Sequence, residues 1–522
     1  MFDAVEQAFP VRFEGRQPEE HGDVDAALVL PAAAQLADAL PPSVPRLVAF
    51  AEEGAAPPPA PLGAPHDPTG ALVELADRAP LDSRLRRLRL HDAAVEGTLP
   101  VPANGSVDVL ASVGDDPAWT SDGNADAVAL APAELGDEEC LRDRIRDGRF
   151  LAGAALVHFM RGVCADLDWR PPPLRACFLF DDPNLHWPSY GYLDYRELVR
   201  QADLHGYHVA LAMVPLDSWY VHGRTARLFR DHPDRLSLIV HGNNHTRLEL
   251  AQAHDASGLR SLLAQALRRV AAFERRSGVP VARVMAAPHS VCSEQVAREL
   301  PELGFEALCI CRPFPWLARP GRPWLSKPEG SSPLAGWHPA SIVSGGLPVL
   351  LRQPFNTPFE DIALRAFLDQ PLILYGHHND LEEGVDQLAE LAGAIRGLGQ
   401  VKWLSPGEIA GSNVTTWREG DLLHARVFSR RARIELPGGA EGVTAEFPVL
   451  DEPSTEDRIE YGREPGLSRR VEIRLRRSTP DLDTIERPPL PQWAIARRLL
   501  GEGRDRLAPV YRRAAAARAA RG

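Results

Sequence analysis

A chain of 522 residues is too long for one ordinary domain, and we expect it to fold into two to four domains. Its 44% hydrophobic and 25% charged residues are close to the averages of soluble globular proteins, which argues against a disordered or fibrous chain. The formal net charge of −13, with no basic stripe in the central region, argues against nucleic-acid binding.

Three features of the sequence bear on the location of the protein. The first residues, MFDAVEQAFPVRFEG, lack the basic and apolar regions of a signal peptide. No window approaches the ~18 uninterrupted apolar residues that a membrane-spanning helix needs. The six cysteines lie in apolar runs without paired C-x-x-C spacing, so we expect free and buried thiols. Together these features predict a cytoplasmic protein without a membrane span.

Residues 1–170 are predicted to form an N-terminal α/β region, and the sequence does not indicate its function. The proline-rich stretch at 55–68 suits neither helix nor strand. Short apolar segments at 106–114 and 125–132 are predicted as strands, and residues 139–163 as one or two helices.

Residues 171–411 alternate apolar strands with segments of helical spacing. The helical spacing is clearest at 256–278 and 385–399, and each of these segments ends in a glycine. Such alternation is typical of a parallel sheet covered by helices, and seven or eight units predict a TIM-like (β/α)7–8 barrel. The predicted strands are 175–182, 207–215, 236–245, 281–289, 305–311, 347–355, 371–378 and 401–406.

Beyond the barrel, apolar and polar residues alternate with period two, which predicts a small antiparallel β domain at 412–480. The final residues, 481–522, are predicted to form a basic amphipathic helix or a pair of helices. The favoured interpretation of this tail is a helix with a solvated face. Attachment to a partner or to an anionic membrane surface is the alternative.

Acidic and histidine residues of the barrel are concentrated where the predicted strands end. In a parallel α/β barrel these ends converge on one face, which holds the active site. Each residue alone is weak evidence, because an Asp pair often caps a turn and a single His is usually structural. Four segments that bring such groups to one face nevertheless predict a metal or acid–base site. The residues are Asp181, Asp182, His241, His245, His289, His377 and His378.

Residue type and spacing favour a divalent metal, with Zn²⁺ expected. His241 and His245 are four residues apart, so both rings would lie on one face if the chain turns helical after the strand. One carboxylate of the Asp pair would complete a three-ligand set with open positions for water and substrate. The other carboxylate would remain as a general base.

The segments FLFDD, HGNNH, AAPHS and YGHHND, in this order, resemble the motif series of the polysaccharide-deacetylase superfamily, the NodB-like or carbohydrate esterase family 4 proteins. The resemblance covers about residues 172–410 and implies a divergent branch. It implies that Asp181 is the general base. The implied metal ligands are Asp182, His241 and His245. Either His377 or His378 matches the family's late histidine, which protonates the leaving group.

The chain departs from the family pattern at three positions. Pro183 follows the Asp pair where the family usually has Gly, and Gly242 follows the first ligand His where the family has Ser or Thr. The third motif lacks the Arg that orients the base in the family. His289, which follows the proline of this motif, is predicted to take over part of that role.

The two late histidines are expected to differ in function. Successive side chains of a strand alternate faces, so only one histidine should point into the barrel. His377 is favoured as the acid because it follows the apolar run most directly. His378 is then expected to pack outside the pocket or to bond to Asp380.

A loop after the Asp pair is rich in aromatic and amide side chains, which suit stacking on a sugar ring and bonding to hydroxyls. Packing of its aromatic rings on the N-terminal region is an equally supported alternative. Residues 312–324 are predicted to form a second aromatic loop. The residues expected to contact substrate are Asn184, His186, Trp187, Tyr190, His289 and Arg352.

The resemblance implies a metal-dependent hydrolase that removes an acyl group, with N-acetyl expected, from a carbohydrate or amino sugar. Two alternatives are a C–N hydrolase of small non-sugar amides and a binding module that retains metal without turnover. In the cytoplasm, a nucleotide-linked, lipid-linked or small soluble substrate is favoured over a cell-wall polymer. The sequence does not indicate the oligomeric state.

Overall fold

The computed structural model describes most of the chain. The described residues are 2–16, 24–51, 70–95, 99, 107–132, 148–246, 248–252, 254–311, 340–343, 346–447, 458–463, 470–476 and 479–519. The predicted aromatic loop at 312–324, the proline-rich stretch at 55–68 and the predicted helical residues 139–147 lie outside these ranges.

A seven-stranded mixed sheet precedes the barrel. Its strands are β1 (Ala27–Val29), β2 (Arg46–Ala51), β3 (Ala71–Leu75), β4 (Arg89–Asp92), β5 (Asp108–Val113), β6 (Asp116–Ser121) and β7 (Ala125–Leu130). They lie in the order β1-β2-β7-β6-β5-β3-β4. The helices α1 (Phe2–Ala8) and α2 (Leu151–Val163) bury apolar side chains in the same core as this sheet. The two strands predicted from the sequence are confirmed as β5 and β7, and the predicted helix is confirmed over α2.

The next part of the chain contains eleven described strands. They are β8 (Leu174–Asp181), β9 (Ser189–Tyr190), β10 (Leu193–Asp194), β11 (Val209–Met213), β12 (Leu236–His241), β13 (Val281–Ala286), β14 (Ala307–Ile310), β15 (Ser341–Val343), β16 (Leu347–Pro354), β17 (Leu372–Gly376) and β18 (Val401–Trp403). The helices that alternate with them are α3 (Tyr195–His205), α4 (Gly223–Asp231), α5 (Ala256–Ser277), α6 (Glu294–Glu302), α7 (Phe359–Phe367), α8 (Asp386–Gly397) and α9 (Pro406–Ala410).

Seven parallel strands close the barrel in the order β8-β11-β12-β13-β14-β16-β17, and β17 pairs with β8 again. All eight strands predicted from the sequence are present. The eighth, β18, pairs with the N-terminal part of β8, while β11 pairs with its C-terminal part. The predicted α/β barrel is therefore confirmed as a (β/α)7 barrel with one added strand.

The barrel strands are buried on both faces, as their continuous apolar sequences predict. Small and medium side chains such as Cys177, Ala210 and Ile373 fill the interior. Larger ones such as Phe178 and Phe180 face the surrounding helices and join the main core. Successive side chains of a strand point to opposite faces. The residue that faces the interior at the carboxyl end of each strand therefore follows from the residues that face the interior before it.

Two three-stranded sheets and a long helix follow the barrel. The strands are β19 (Val414–Glu419), β20 (Leu422–Val427), β21 (Arg431–Glu435), β22 (Gly442–Glu446), β23 (Arg458–Arg463) and β24 (Arg470–Arg476). Their pairings are antiparallel except for β20 with β22, which is parallel, so the prediction of a purely antiparallel domain is wrong in this detail. In the described part of the tail, a 3-10 helix (Leu482–Thr484) precedes one α-helix, α10 (Gln492–Ala519), so the single α-helix is the one of the two predicted alternatives that is confirmed.

Two further predictions can be compared with the structure. The five described cysteines are free, and four of them are buried, as expected. Among the described residues, none of the helices combines the length and the apolar character that crossing a bilayer requires.

Candidate metal centre

In several barrel strands, the alternate side chains that point into the interior end in a polar side chain at the carboxyl end of the strand. Asp181 follows Cys177 and Leu179 in the interior row of β8, and His241 follows Ile239 in that of β12. Arg352 follows Leu350 in β16 in the same way. Strand register therefore brings side chains from separate strands together at the barrel mouth.

Three of the predicted residues form a compact group of potential metal ligands. The ligand atoms of Asp182, His241 and His245 all lie within 4.8 Å of one another, and this is the one such group found in the described residues. Asp182 Oδ1 is 3.3 Å from His245 Nε2, and the two imidazole rings have centroids 5.0 Å apart. Two histidines and one carboxylate are a common ligand set for Zn²⁺ in sites that keep an open position.

The protonation states in this group suit metal binding. His241 Nδ1 lies 2.9 Å from the carbonyl oxygen of Ala286, so Nδ1 donates there and Nε2 is left as an acceptor. Burial, together with the neighbouring imidazole of His241, lowers the pKa of His245 to about 4. Burial also lowers the pKa of His241. Both imidazoles are therefore neutral at neutral pH, which is the form that binds metal.

The carboxylate of Asp182 is ionised although it is largely buried. Burial alone would raise its pKa, but the positive charges of His245 and His241, in the protonated form that they take in acid, and of Arg498 outweigh this effect and hold the pKa below its ordinary value. Its backbone adopts a φ of +78°, a conformation that non-glycine residues rarely adopt. Strained backbone of this kind persists when the surrounding structure enforces it, and it is concentrated at functional sites.

The segment between the two histidines is a loop and not the helical turn that was considered from the spacing. His245 has a φ of +52°, outside the right-handed helical region. The carboxylate of Glu249 accepts hydrogen bonds from the backbone N–H groups of Asn243 (2.7 Å), Asn244 (3.1 Å) and His245 (2.9 Å). This cradle, and not a helix, brings the second imidazole back toward the first.

Gly242 is required by this loop. Its φ is +63°, and an added Cβ would lie 2.3 Å from Glu249 Oε1 and 2.6 Å from Pro288 Cγ. We expect Gly242→Ala to weaken metal binding by roughly 10- to 100-fold, because the cradle that orients His245 must shift. Gly206→Ala is the matched control, since Gly206 has a φ of +65° with no atom near the added Cβ. Metal affinity equal in the two variants would contradict this role of Gly242.

Asp181 lies beside the ligand group and is paired with an arginine. Arg352 Nη1 donates to Asp181 Oδ1 at 2.6 Å, and Arg352 Nη2 donates to Ser290 Oγ at 3.1 Å. The guanidinium stacks over the ring of Tyr375, 4.2 Å from its centroid. Burial favours the neutral carboxyl, but Arg352 outweighs this effect and lowers the pKa of Asp181. Asp181 is therefore an oriented, ionised carboxylate.

This pairing changes two sequence-based predictions. Arg352 was expected to contact substrate, but it is fully buried and bonds to Asp181 instead. His289 was expected to replace the family's base-orienting Arg, but it is exposed and its ring lies 5.1 Å from that of His245. The cation beside Asp181 comes from β16 rather than from the third motif.

The two late histidines occupy different environments beyond β17. His377 is exposed at the mouth, and its charge is among those that lower the pKa values of Asp181 and Asp182. His378 is buried, with its ring 5.4 Å from that of Tyr190. The bond to Asp380 that was considered for His378 is made by the backbone N–H of His377, at 2.7 Å.

Three of the residues predicted to contact substrate lie beneath α10: Asn184, His186 and Tyr190. His186 Nδ1 is 3.0 Å from Glu502 Oε2, and the Tyr190 hydroxyl donates to Asp505 Oδ2 at 3.1 Å. Asn184 is buried beside His186 and accepts its backbone N–H at 3.2 Å. The helix therefore covers part of this loop.

Trp187 keeps about half of its surface exposed, and the guanidinium of Arg506 lies 4.5 Å from the centre of its ring.

Arg498, from the same helix, reaches further into the site. Its Nη1 donates to Asp182 Oδ1 at 2.9 Å, and its Nε donates to Asp217 Oδ2 at 3.0 Å. The tail helix therefore has a solvated face, as the sequence favoured, but its opposite face packs against the site. Arg498 and Asp217 are site residues that the sequence did not indicate.

The fold and the site together define a (β/α)7 barrel with a group of one carboxylate and two imidazoles at its mouth and a second, ion-paired carboxylate beside it. No protein-family model matches this sequence, and no curated protein matches it.

Solved structures similar to this chain are named as deacetylases and carbohydrate esterases, the group whose motif series the sequence resembles. One is a Mycobacterium smegmatis protein provisionally assigned as a polysaccharide deacetylase, with 15% identity and a TM-score of 0.32, covering 46% of this chain and 90% of that one. A family 4 carbohydrate esterase from Streptomyces lividans has 10% identity and a TM-score of 0.25, covering 44% and 89%. A mutant of the peptidoglycan deacetylase PdaC from Bacillus subtilis has 10% identity and a TM-score of 0.26, covering 46% and 91%.

Proposed function

We propose that this protein is a metal-dependent hydrolase that removes an acyl group, with N-acetyl the expected one, from a carbohydrate or amino-sugar substrate. The observation that carries the proposal is the convergence of Asp182, His241 and His245 at the barrel mouth beside Asp181. This arrangement supplies a ligand set and a separate base, which hydrolysis of an amide or ester requires. The order of the four sequence motifs supports the same assignment.

The chemistry follows from the environment of each group. A divalent cation held by Asp182, His241 and His245 would act as a Lewis acid on the acyl carbonyl. Asp181 is ionised, and in this role it accepts the proton of the attacking water. Arg352 fixes the orientation of this carboxylate through the bond between Nη1 and Oδ1. His377, in its protonated form, donates a proton to the departing nitrogen or oxygen.

The presence of Arg352 favours an enzyme over a module that only retains metal. A buried ion pair has a desolvation cost that a purely structural site does not need. Here the pair holds the candidate base ionised and aimed at the mouth of the barrel. Such perturbed, oriented carboxylates are typical of catalytic sites.

The proposal is tested by measuring acetate release with and without metal. The protein is stripped with a chelator, reloaded with Zn²⁺, Co²⁺ or Mn²⁺, and incubated with N-acetylglucosamine oligomers, with free N-acetylglucosamine and with an N-acetyl amino acid. We expect metal-dependent release from a sugar substrate. Release from the amino acid alone would favour an amide hydrolase of small molecules. Bound metal without release from any acyl compound, including an activated acetate ester, would favour the binding module.

His245→Ala is expected to abolish stoichiometric metal binding, because the variant loses one of three ligands. His289→Ala is the matched control, since the ring of this exposed histidine lies 5.1 Å from that of His245 but outside the ligand group. Elemental analysis of both purified variants gives the metal content directly. Full occupancy in His245→Ala would remove the basis of the proposed metal site, and a loss in His289→Ala would extend the ligand set.

A further inference from the structure

The helix α10 turns a charged face toward the barrel mouth and an apolar face toward solvent. Arg498, Glu502 and Asp505 follow each other at spacings of four and three residues and therefore share one face. Each of them contacts a residue of the site or of the loop above it. On the opposite face, Trp493 and Leu500 are 79% and 74% exposed. This orientation is the reverse of that of an ordinary surface helix, which buries its apolar face.

Arg498 binds the same carboxylate oxygen that faces the second imidazole ligand. Asp182 Oδ1 lies 3.3 Å from His245 Nε2 and accepts a hydrogen bond from Arg498 Nη1 at 2.9 Å. Arg498 Nη2 also donates to the backbone carbonyl of Asp182 at 3.2 Å. The guanidinium therefore supplies positive charge at the oxygen that the proposed metal ion would use.

Other contacts of α10 fall on the same site. Arg497 donates to the backbone carbonyl of His245. Asp505 Oδ2 lies 3.6 Å from His378 Nε2, in addition to its bond with Tyr190. One helix thus contacts both proposed ligand segments and the segment that carries the late histidines.

Few apolar contacts hold α10 in this position. Ala494 and Ile495 pack against Val214 and Leu216 in a small cluster separate from the main core. Its other contacts with the barrel and with the loop above it include ion pairs, hydrogen bonds and the cation–π contact between Arg506 and Trp187. Water and ions can replace such polar contacts when the helix leaves. Elements with little buried apolar surface are those that open at low free-energy cost.

We propose that α10 is an autoinhibitory lid, in which the guanidinium of Arg498 neutralises Asp182 in place of a divalent cation and the helix covers part of the barrel mouth. Metal ion and substrate then enter only after the helix is displaced. This inference rests on the proposed metal site. It adds that the guanidinium of Arg498 and the metal ion compete for the carboxylate of Asp182. Two cations next to one carboxylate oxygen repel each other, and more strongly at a largely buried site than in bulk water.

The competition is tested by measuring Zn²⁺ affinity in the full-length protein with a chelating dye. Arg498→Ala is expected to bind Zn²⁺ roughly tenfold or more tightly than the unmodified chain, because one positive charge is removed from Asp182. Arg504→Ala is the matched control. It removes the same charge from the same helix, but its side chain is 80% exposed and pairs with Asp505 rather than with a ligand. We expect its affinity to be unchanged.

Hydrogen exchange gives a second readout that does not depend on turnover. Addition of Zn²⁺ to the unmodified chain should increase exchange in the first half of α10, since metal binding displaces the helix. Equal affinity in Arg498→Ala and the unmodified chain, with exchange of α10 unaffected by Zn²⁺, would overturn the lid while leaving the metal site intact. If no variant binds Zn²⁺, the proposed function and the lid are both overturned.

Discussion

Asp181→Asn is expected to retain its metal and to lose about 10² to 10⁴ in turnover, the usual contribution of a general base. The ligand group of Asp182, His241 and His245 does not include this residue. The amide keeps an oxygen that can accept from Arg352, so the buried guanidinium is not left without a partner. It cannot accept the proton of the attacking water. The measurements are metal content and the rate of acetate release at saturating substrate.

Two controls separate loss of the base from loss of the structure. The midpoint of thermal unfolding of Asp181→Asn reports whether the weaker pairing with Arg352 destabilises the barrel. Ser290→Ala removes the second hydrogen-bond partner of Arg352 without touching the carboxylate, so we expect it to retain most of the activity. An undiminished rate in Asp181→Asn would reassign the base, and His289 is the next candidate because it lies at the same mouth.

The barrel could be predicted because its signal is local. Each strand is a short apolar run ended by a turn, and the parity of residues within a run gives the face on which a side chain lies. The positions of Asp181 and His241 at the ends of their strands could therefore be predicted from the sequence alone. The compact ligand group follows from this parity together with the convergence of parallel strands.

The parts that could not be predicted depend on contacts between distant segments. Arg352 and Asp181 are separated by 171 positions in the sequence, and Arg498 and Asp182 by 316. No periodicity indicates which of 58 basic residues meets a given carboxylate. The cradle made by Glu249 was missed for a different reason. A regular helical turn was the simplest geometry for two histidines four apart, and the loop depends on a glycine with a positive φ.

The late histidines give the second large expected effect. His377→Ala is expected to lose about 10²-fold or more in turnover with its metal retained, because its imidazole is the proposed general acid. Its side chain is exposed at the mouth and interacts electrostatically with both Asp181 and Asp182. β17 ends at Gly376, so the position of His377 depends on the bond between its N–H and Asp380 Oδ2.

His378→Ala is the matched comparison, since it removes the same side chain one position along. His378 is buried against Tyr190 and Tyr192 and faces Asp505 of α10 rather than the metal ligands. We expect it to lower the thermal stability while acetate release changes only a few-fold, because a buried ring leaves a cavity but no proton donor is lost. Both variants should retain full metal content by elemental analysis. A large loss of turnover confined to His378→Ala would assign the role of general acid to His378 instead of His377. Equal, mild losses in both variants would show that neither histidine is the general acid.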